Sequence, residues 1–293
     1  GRDVTLAKLR ASGFVATVIA VGAQKVGKLN IDGEEGEDVH DALTFLRASR
    51  EERAFPLGRR VAVIGGGDVA MDCARTALRL GATGVQIIYR RTLAEMPASR
   101  DELHELMDEH IPVVELTAPK AIVREGGRVS MLRCVRMELG EPDASGRRRP
   151  VEVPGSEFEM PVDQVIVAVN QQPDLSFFDG EAPAVGSNGY LKVNADLVTS
   201  LPDVYAGGDI GPGGPASIVK ALGDGRAIAR SIRKKLESAS EPPSSPRHGM
   251  AALDRETRVD LARRRAMRLD RMAIPQLDVN RRNNFEEVVK TLD

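Results

Sequence analysis

Short apolar runs alternate along the chain with longer segments in which apolar residues recur every three or four positions. Phe14 to Val21, Val61 to Ile64, Val85 to Tyr89 and Gln164 to Val169 are runs of the strand type, bounded by turn-forming residues. Helical periodicity covers Val39 to Ser49 and Val69 to Leu80, with Gly81 where a C-terminal cap belongs. A shorter helical pattern, Thr5 to Arg10, is stopped by Gly13. Strands alternating with helices predict parallel sheets in right-handed crossovers, with ligands at the carboxyl ends of the strands. Between Lys120 and Leu139 two strand-like runs flank Glu125-Gly126-Gly127, predicting a hairpin that residues 140–155, rich in Gly, Pro and Arg, extend into an antiparallel flap. After Ile232 the pattern lapses: Ser238 to Pro246 has linker composition, and residues 254–271 hold seven Arg and four acids. That tail reads either as a docking helix for RNA or a partner, or as a solvated helix lying across a neighbouring domain.

With 293 residues, 42% of them hydrophobic, the chain can bury two ordinary cores, and two packed units are expected. A net charge of -2 gives no general field for nucleic acid or an anionic membrane, and 3% aromatics without Trp leave little for base stacking. No apolar run approaches the roughly 20 residues a membrane helix needs, and no signal segment opens the chain, so a cytoplasmic location with neither membrane nor nucleic-acid partner is expected. The chain opens at Gly1 without Met, which reads as a fragment or a cleaved product. Cys73 and Cys134 form no CxxC pair and are expected as buried thiols, and His40, His104, His110 and His248 are not spaced as a ligand set, so no metal is expected.

Val61 to Ile64 runs straight into Gly65-Gly66-Gly67-Asp68-Val69-Ala70, the G-x-G-x-x-A turn between a strand and a helix. Gly65 permits the tight turn, Gly67 has no Cβ to obstruct a pyrophosphate, and Ala70 lets the helix lie close to the strand. Free N–H groups and the positive helix end then meet phosphate charge, although a ligand-free strand-to-helix turn has the same glycines. About 20 residues further on, where an acid would bind the ribose hydroxyls of NAD, stand Arg90 and Arg91. Two cations and no acid favour the 2′-phosphate of NADP(H), unless one arginine merely pairs at the surface with Glu95. Asp72, on the same helix, is either near the nicotinamide or a helix-face partner of Arg75 or Arg79.

Val204-Tyr205-Ala206-Gly207-Gly208-Asp209 ends a second strand in two glycines and a carboxylate, with a helix from about Ala216. An ordinary turn accounts for this stretch alone. Following a complete nucleotide domain, it reads as a flavin edge: Asp209 toward the ribityl or pyrophosphate region, and the N–H groups of Ala216 and Ser217 toward the pyrimidine ring, where reduced flavin gathers charge. Val18 to Gly22, and Val167 to Asn170 through Val169, are apolar strands released into small-residue turns, expected where the backbone crosses between units. Crossings near residues 50–58 and 170–175 would form a double hinge.

In this order the motifs resemble the small subunit of glutamate synthase and its relatives over residues 1–237. The resemblance is carried by 20–24 (AVGAQ), 64–72 (IGGGDVAMD), Arg90-Arg91 with Glu95-Met96-Pro97-Ala98, Leu139 to Pro142, Pro173-Asp174, and Ala206 to Asp209 with Gly214 to Ser217. It implies an α/β flavoprotein of two dinucleotide-binding domains, a Rossmann-like NADPH domain inserted in a partial FAD domain. The expected division is 1–56 and 171–237 for FAD, 57–170 for NAD(P)H, and 238–293 for linker and tail. By the same resemblance the cofactors are NADP(H) and FAD, and the activity is hydride transfer from NADPH to flavin and on to an iron-sulfur or acceptor subunit. The cofactor-binding set is Gly22, Gly65, Gly66, Gly67, Asp68, Val69, Ala70, Arg90, Arg91, Val169, Gly208, Asp209, Ala216 and Ser217, with no catalytic acid or base. The family's cysteine-rich segment and first flavin glycine motif are absent from these residues, and Asn170 stands where many relatives have Gly. The alternative reading is an NADP-binding module or docking scaffold without turnover of its own.

Overall fold

The computed structural model describes residues 3–52, 56–142, 146–211, 213–214, 217–239 and 282. The chain begins with α1 (Leu6–Ala11), where the Thr5 hydroxyl accepts the Lys8 N–H at 3.2 Å. β1 (Thr17–Ile19) runs parallel to β11 (Val204–Ala206), and the two form a sheet of their own. The expected strand from Phe14 to Val21 thus shrinks to the three residues that β11 can pair, and Phe14, Val15, Val18 and Val21 are exposed.

The larger sheet is parallel throughout. Its order is β2 (Val39–Asp41), β10 (Gln164–Val167), β3 (Arg60–Ile64), β4 (Gly84–Ile88) and β5 (Val113–Val114). Alternate side chains serve opposite faces. Val61, Val63 and Ile87 pack with Phe45, Met71 and Leu106 from the helices α2 (Ala42–Glu52), α3 (Asp68–Arg79) and α4 (Arg100–Asp108). Ala62, Ile64 and Ile88 pack against Ile122, Leu132 and Cys134 of the flap. α3 ends as its glycine demands: Gly81, at φ +98°, donates to Leu78 O, while Ala82 N–H reaches Ala77 O.

Helical periodicity from Val39 to Ser49 predicts one helix, but its first three residues are strand. They hydrogen-bond to β10 and so satisfy backbone groups on the sheet edge, a tertiary demand that outweighs local pattern. Asp41 then accepts the Thr44 N–H at 2.9 Å and starts α2. Residues 39–52, expected with the first unit, therefore lie in the layer of the five-stranded sheet. Upstream of them, Lys25 and Gln172 exchange backbone hydrogen bonds of 2.9 and 2.8 Å, and Gly27 N–H donates to the carbonyls of Val169 and Asn170. The two chain passages between the sheets run side by side there. Asn170 adopts φ +48°, a left-handed conformation that asparagine tolerates.

The flap consists of β6 (Thr117–Glu125), β7 (Arg128–Pro142), β8 (Arg148–Glu152) and β9 (Phe158–Pro161), antiparallel with β7 at the centre. Gly126 and Gly127, at φ +58° and +84°, make the tight turn of its first hairpin. Ile19, Leu191, Val204 and Ile210 form the core of the smaller sheet, and beyond β11 α5 (Ile218–Ala239) sets its buried Ile228 against the Gly207 turn. It continues into the start of the expected linker. Ala216, His248, residues 240–246 and the arginine-rich stretch 254–271 lie outside the described residues. Both cysteines are buried free thiols, and among the described residues no helix is long and apolar enough to cross a membrane.

Candidate functional site

At the carboxyl end of β3 each of three consecutive glycines meets a different environment. A Cβ on Gly65, whose φ is +154°, would sit 2.4 Å from the carbonyl oxygen of Ala168, and one on Gly66 would sit 2.4 Å from the Tyr89 ring. Gly67 faces open space, with nothing within 4 Å of a Cβ placed there. It precedes α3 without a side-chain cap; Ala70 and Met71 N–H turn back to its carbonyl at 2.9 and 3.3 Å, and the N–H groups ahead of them are left to be met from outside. Ala70 is fully buried in the core between α3 and the sheet.

The segment after β4 closes over this turn. Tyr89 Oη donates to Glu95 O at 3.0 Å, Ala98 N–H donates to Gly66 O at 3.1 Å, and Ser99 N–H donates to Asp68 Oδ1 at 2.7 Å. Glu95 turns its carboxylate back to the N–H and hydroxyl of Thr92 in a capping box. Glu95-Met96-Pro97-Ala98 is therefore a strap that fixes the glycine turn relative to Arg90. The paired arginines part company: Arg90 is exposed, whereas Arg91 is 5% exposed and donates from Nε to Arg148 O in the flap at 2.7 Å.

Asp72 is not the carboxylate that Arg75 and Arg79 choose. Arg75 pairs with Glu102, Glu105 and Glu109 at 2.7–3.1 Å, and Arg79 with Glu109 at 2.9 Å, which locks α3 to α4. Burial alone would raise the Glu109 carboxyl, but hydrogen bonds from Arg79 and Arg75 hold it below its ordinary value.

A second group of expected residues collects at the carboxyl ends of β1 and β11, whose register aligns Ile19 with Ala206. Gly22 and Gly208 both take φ +71°. Gly208 N–H donates to Asp224 Oδ2 at 2.9 Å, and Lys220 Nζ donates to the same oxygen at 2.8 Å, so a side chain of α5 holds the turn that carries Asp209. Ser217 starts α5: its hydroxyl accepts Lys220 N–H at 3.2 Å. Val169 lies at the passage between the sheets, accepting Gly27 N–H. Tyr190 packs its ring against Gly214 and donates its hydroxyl to Gln171 O; burial, with the charge of Asp209, pushes its phenol up. The structure thus gathers Gly65 to Ala70 with Arg90 on one sheet, and Gly22, Gly208, Asp209 and Ser217 on the other. Asp224, Tyr190 and Arg148 escape the sequence reading. Asp224 alone leaves a trace there, as the acid four residues after Lys220 on a helix face.

The family described as pyridine nucleotide-disulphide oxidoreductase matches residues 3–225. The NADP(+)-dependent formate dehydrogenase subunit beta of Moorella thermoacetica is 44% identical over 83% of this chain and 35% of its own length. The glutamate synthase (NADPH) small chain of Escherichia coli (strain K12) is 38% identical over 81% of this chain and 53% of its own. The chain thus spans about a third to a half of these relatives. Among solved structures, Mycobacterium tuberculosis FprA in complex with NADPH aligns with a TM-score of 0.66 at 20% identity, covering 89% of this chain and 70% of that one. T. acidophilum thioredoxin reductase aligns at 0.59 and 23% identity, covering 77% and 66%. These likenesses show the fold: two dinucleotide-binding units, mixed α/β, built on parallel sheets.

Proposed function

The chain belongs to the pyridine nucleotide-disulphide oxidoreductase family, and from this premise we propose that it binds NADPH on the five-stranded sheet and FAD on the two-stranded one, as an electron-transferring oxidoreductase. Gly67 carries the reading. The protein's own packing demands the two glycines before it, but nothing among the described residues demands the third, and a pyrophosphate laid on the start of α3 would. Asp68 is held to the strap by Ser99 N–H, which donates to its Oδ1 at 2.7 Å. Val69 and Ala70 continue the helix beneath the phosphates, and exposed Arg90 at the end of the neighbouring strand would grip the 2′-phosphate.

On the other sheet, Gly22 and Gly208 let the backbone approach the FAD, Asp209 would accept from its ribityl or pyrophosphate region, and Ser217 at the head of α5 would face the flavin. When bound, the pair of cofactors supplies hydride transfer from nicotinamide to flavin; the chain aligns the rings and shields them, with no catalytic acid or base required. We place the FAD unit at residues 1 to about 24 and 171–237, moving the first crossing up to the Lys25–Gln172 pair, because Leu29 and Ile31 pack with the flap core, Ile122 N–H donates to Asp32 O, and Val39–Asp41 is hydrogen-bonded into the other sheet. The "subunit beta" names of relatives support a partner subunit as electron acceptor; that this partner carries iron-sulfur clusters, and that the protein is cytoplasmic, are parts of the proposal that rest on the sequence resemblance alone. Purified full chain carrying yellow flavin that NADPH bleaches, with electrons recovered on a dye, supports this reading. Colourless protein that still binds NADPH supports the module without turnover, and no affinity for either coenzyme overturns the proposal.

A further inference from the structure

We infer that Tyr190 is a positioning residue for hydride transfer: its hydroxyl ties the second passage between the sheets to the loop that leads into α5, so that the passage and the flavin edge move together. The role rests on the cofactor reading above and adds to it a residue that the glycine and arginine motifs do not contain. Alignment of two cofactors bound on separate sheets depends on how firmly those sheets are joined. At the join, Lys25 and Gln172 exchange backbone hydrogen bonds, Lys25 Nζ pairs with Asp174 at 2.8 Å, and Asn170 turns through a left-handed φ of +48°. These contacts all lie within the two passages themselves. Tyr190 belongs to neither passage, yet its Oη donates to Gln171 O.

The same end of the ring reaches the flavin edge. A Cβ on Gly214 would sit 3.0 Å from Tyr190 Cζ and 3.1 Å from its Oη, and Gly214 takes φ +64°, so both the close approach and the backbone conformation favour glycine there. Gly214 N–H donates in turn to Gly211 O at 3.0 Å, and the N–H of Leu191, next in the chain to Tyr190, donates to Ile210 O at 3.1 Å. Tyr190 is thus joined to the Gly208–Ile210 turn through its neighbour and to the following loop through its ring. Its own backbone is fixed from the other side: Gly186 N–H donates to Tyr190 O at 2.8 Å, and Tyr190 N–H reaches Asn188 Oδ1 at 3.3 Å. With two side-chain dihedrals, a tyrosine held at both ends transmits a displacement instead of absorbing it. Burial, with the charge of Asp209, pushes the phenol up from its ordinary value, so the hydroxyl stays a donor throughout the neutral range.

The test compares the full chain with Tyr190→Phe, which keeps the ring and removes the donor, and with Gly214→Ala, which presses on the ring from the loop. Hydrogen exchange of the ligand-free proteins reads the tether itself. Gln172 N–H, bonded to Lys25 O at 2.8 Å, and Gly214 N–H should both exchange about 5-fold faster in Tyr190→Phe, while Gly208 N–H, held by Asp224, keeps its rate. In protein loaded with FAD, the limiting rate at which NADPH bleaches the flavin should fall at least about 5-fold in both variants, while NADPH affinity, set at the turn between β3 and α3, holds. Unchanged exchange at either Gln172 or Gly214 overturns the tether, and unchanged bleaching in a yellow Tyr190→Phe overturns the positioning role; both results leave the cofactor reading intact. A wild type that takes up no flavin overturns the reading of the FAD site and this role with it.

Discussion

Alanine at Gly65 and at Gly67 separates a glycine the fold requires from one that only a ligand requires. At Gly65 the new Cβ would lie 2.4 Å from Ala168 O, a main-chain oxygen fixed by its place beside β10, at a φ of +154° that side-chain-bearing residues rarely take. Relief needs β3 and β10 to move apart, and strain of this kind costs roughly 2–4 kcal/mol. For a chain of this size each kcal/mol moves the melting temperature by about 2–4 °C, so Gly65→Ala should melt roughly 5–15 °C below wild type. At Gly67 the Cβ meets nothing within 4 Å, and φ -95° suits any residue. The poorer N-cap and the stiffer unfolded chain offset one another to within about 1 kcal/mol. Gly67→Ala should therefore melt within about 3 °C of wild type, yet bind NADPH at least about 10-fold more weakly, because its methyl occupies the approach to the helix N–H groups. Differential scanning fluorimetry and coenzyme titration on the same preparations give both quantities. If Gly67→Ala binds NADPH as wild type does, or melts as low as Gly65→Ala, the reasoning is refuted.

Four further outcomes are expected. Arg90→Ala should weaken NADPH about 10-fold or more while NADH changes little, and the difference should shrink as salt rises; equal losses in a titration would reject the 2′-phosphate assignment. Glu109→Gln leaves Arg75 and Arg79 short of their shared carboxylate, 2% exposed, and should lower stability in denaturant by about 2–4 kcal/mol. Because the folded-state value of Glu109 lies below its ordinary value, its contribution is present above the usual carboxylate range and disappears as pH falls through the depressed folded value; urea melts of wild type and Glu109→Gln should converge on acidification. Burial pushes the Cys134 thiol up to about 12 and raises Cys73 as well, so a thiol reagent at mildly alkaline pH should label neither until denaturant is added.

Much of the binding architecture was legible because it depends on neighbours in sequence. The strand, glycine turn and helix from Val61 to Arg79 are set by local periodicity and by φ values that glycine alone adopts freely, and the hairpin turn at Gly126-Gly127 follows from the same steric rule. The four strands that the apolar runs predict all exist, three of them nearly at those bounds. Val39–Asp41 was misread because a three-residue edge strand carries no periodic signature of its own; what makes it a strand is the open edge of β10, more than a hundred residues away. Gly66 is glycine because the Tyr89 ring lies across it, a contact that no spacing rule encodes.

Sequence alone determined where the chain turns, which stretches are apolar on one face, and which residue types stand at the phosphate turn and after the next strand, since steric freedom and charge belong to each residue individually. Only the tertiary structure decided how those residues divide their work. Two adjacent arginines are equal in the sequence, yet the flap folds over one and leaves the other in solvent, and Asp224 becomes the acceptor that holds the Gly208 turn. Such assignments arise from contacts between segments far apart along the chain, where burial and hydrogen-bond demand are settled by packing.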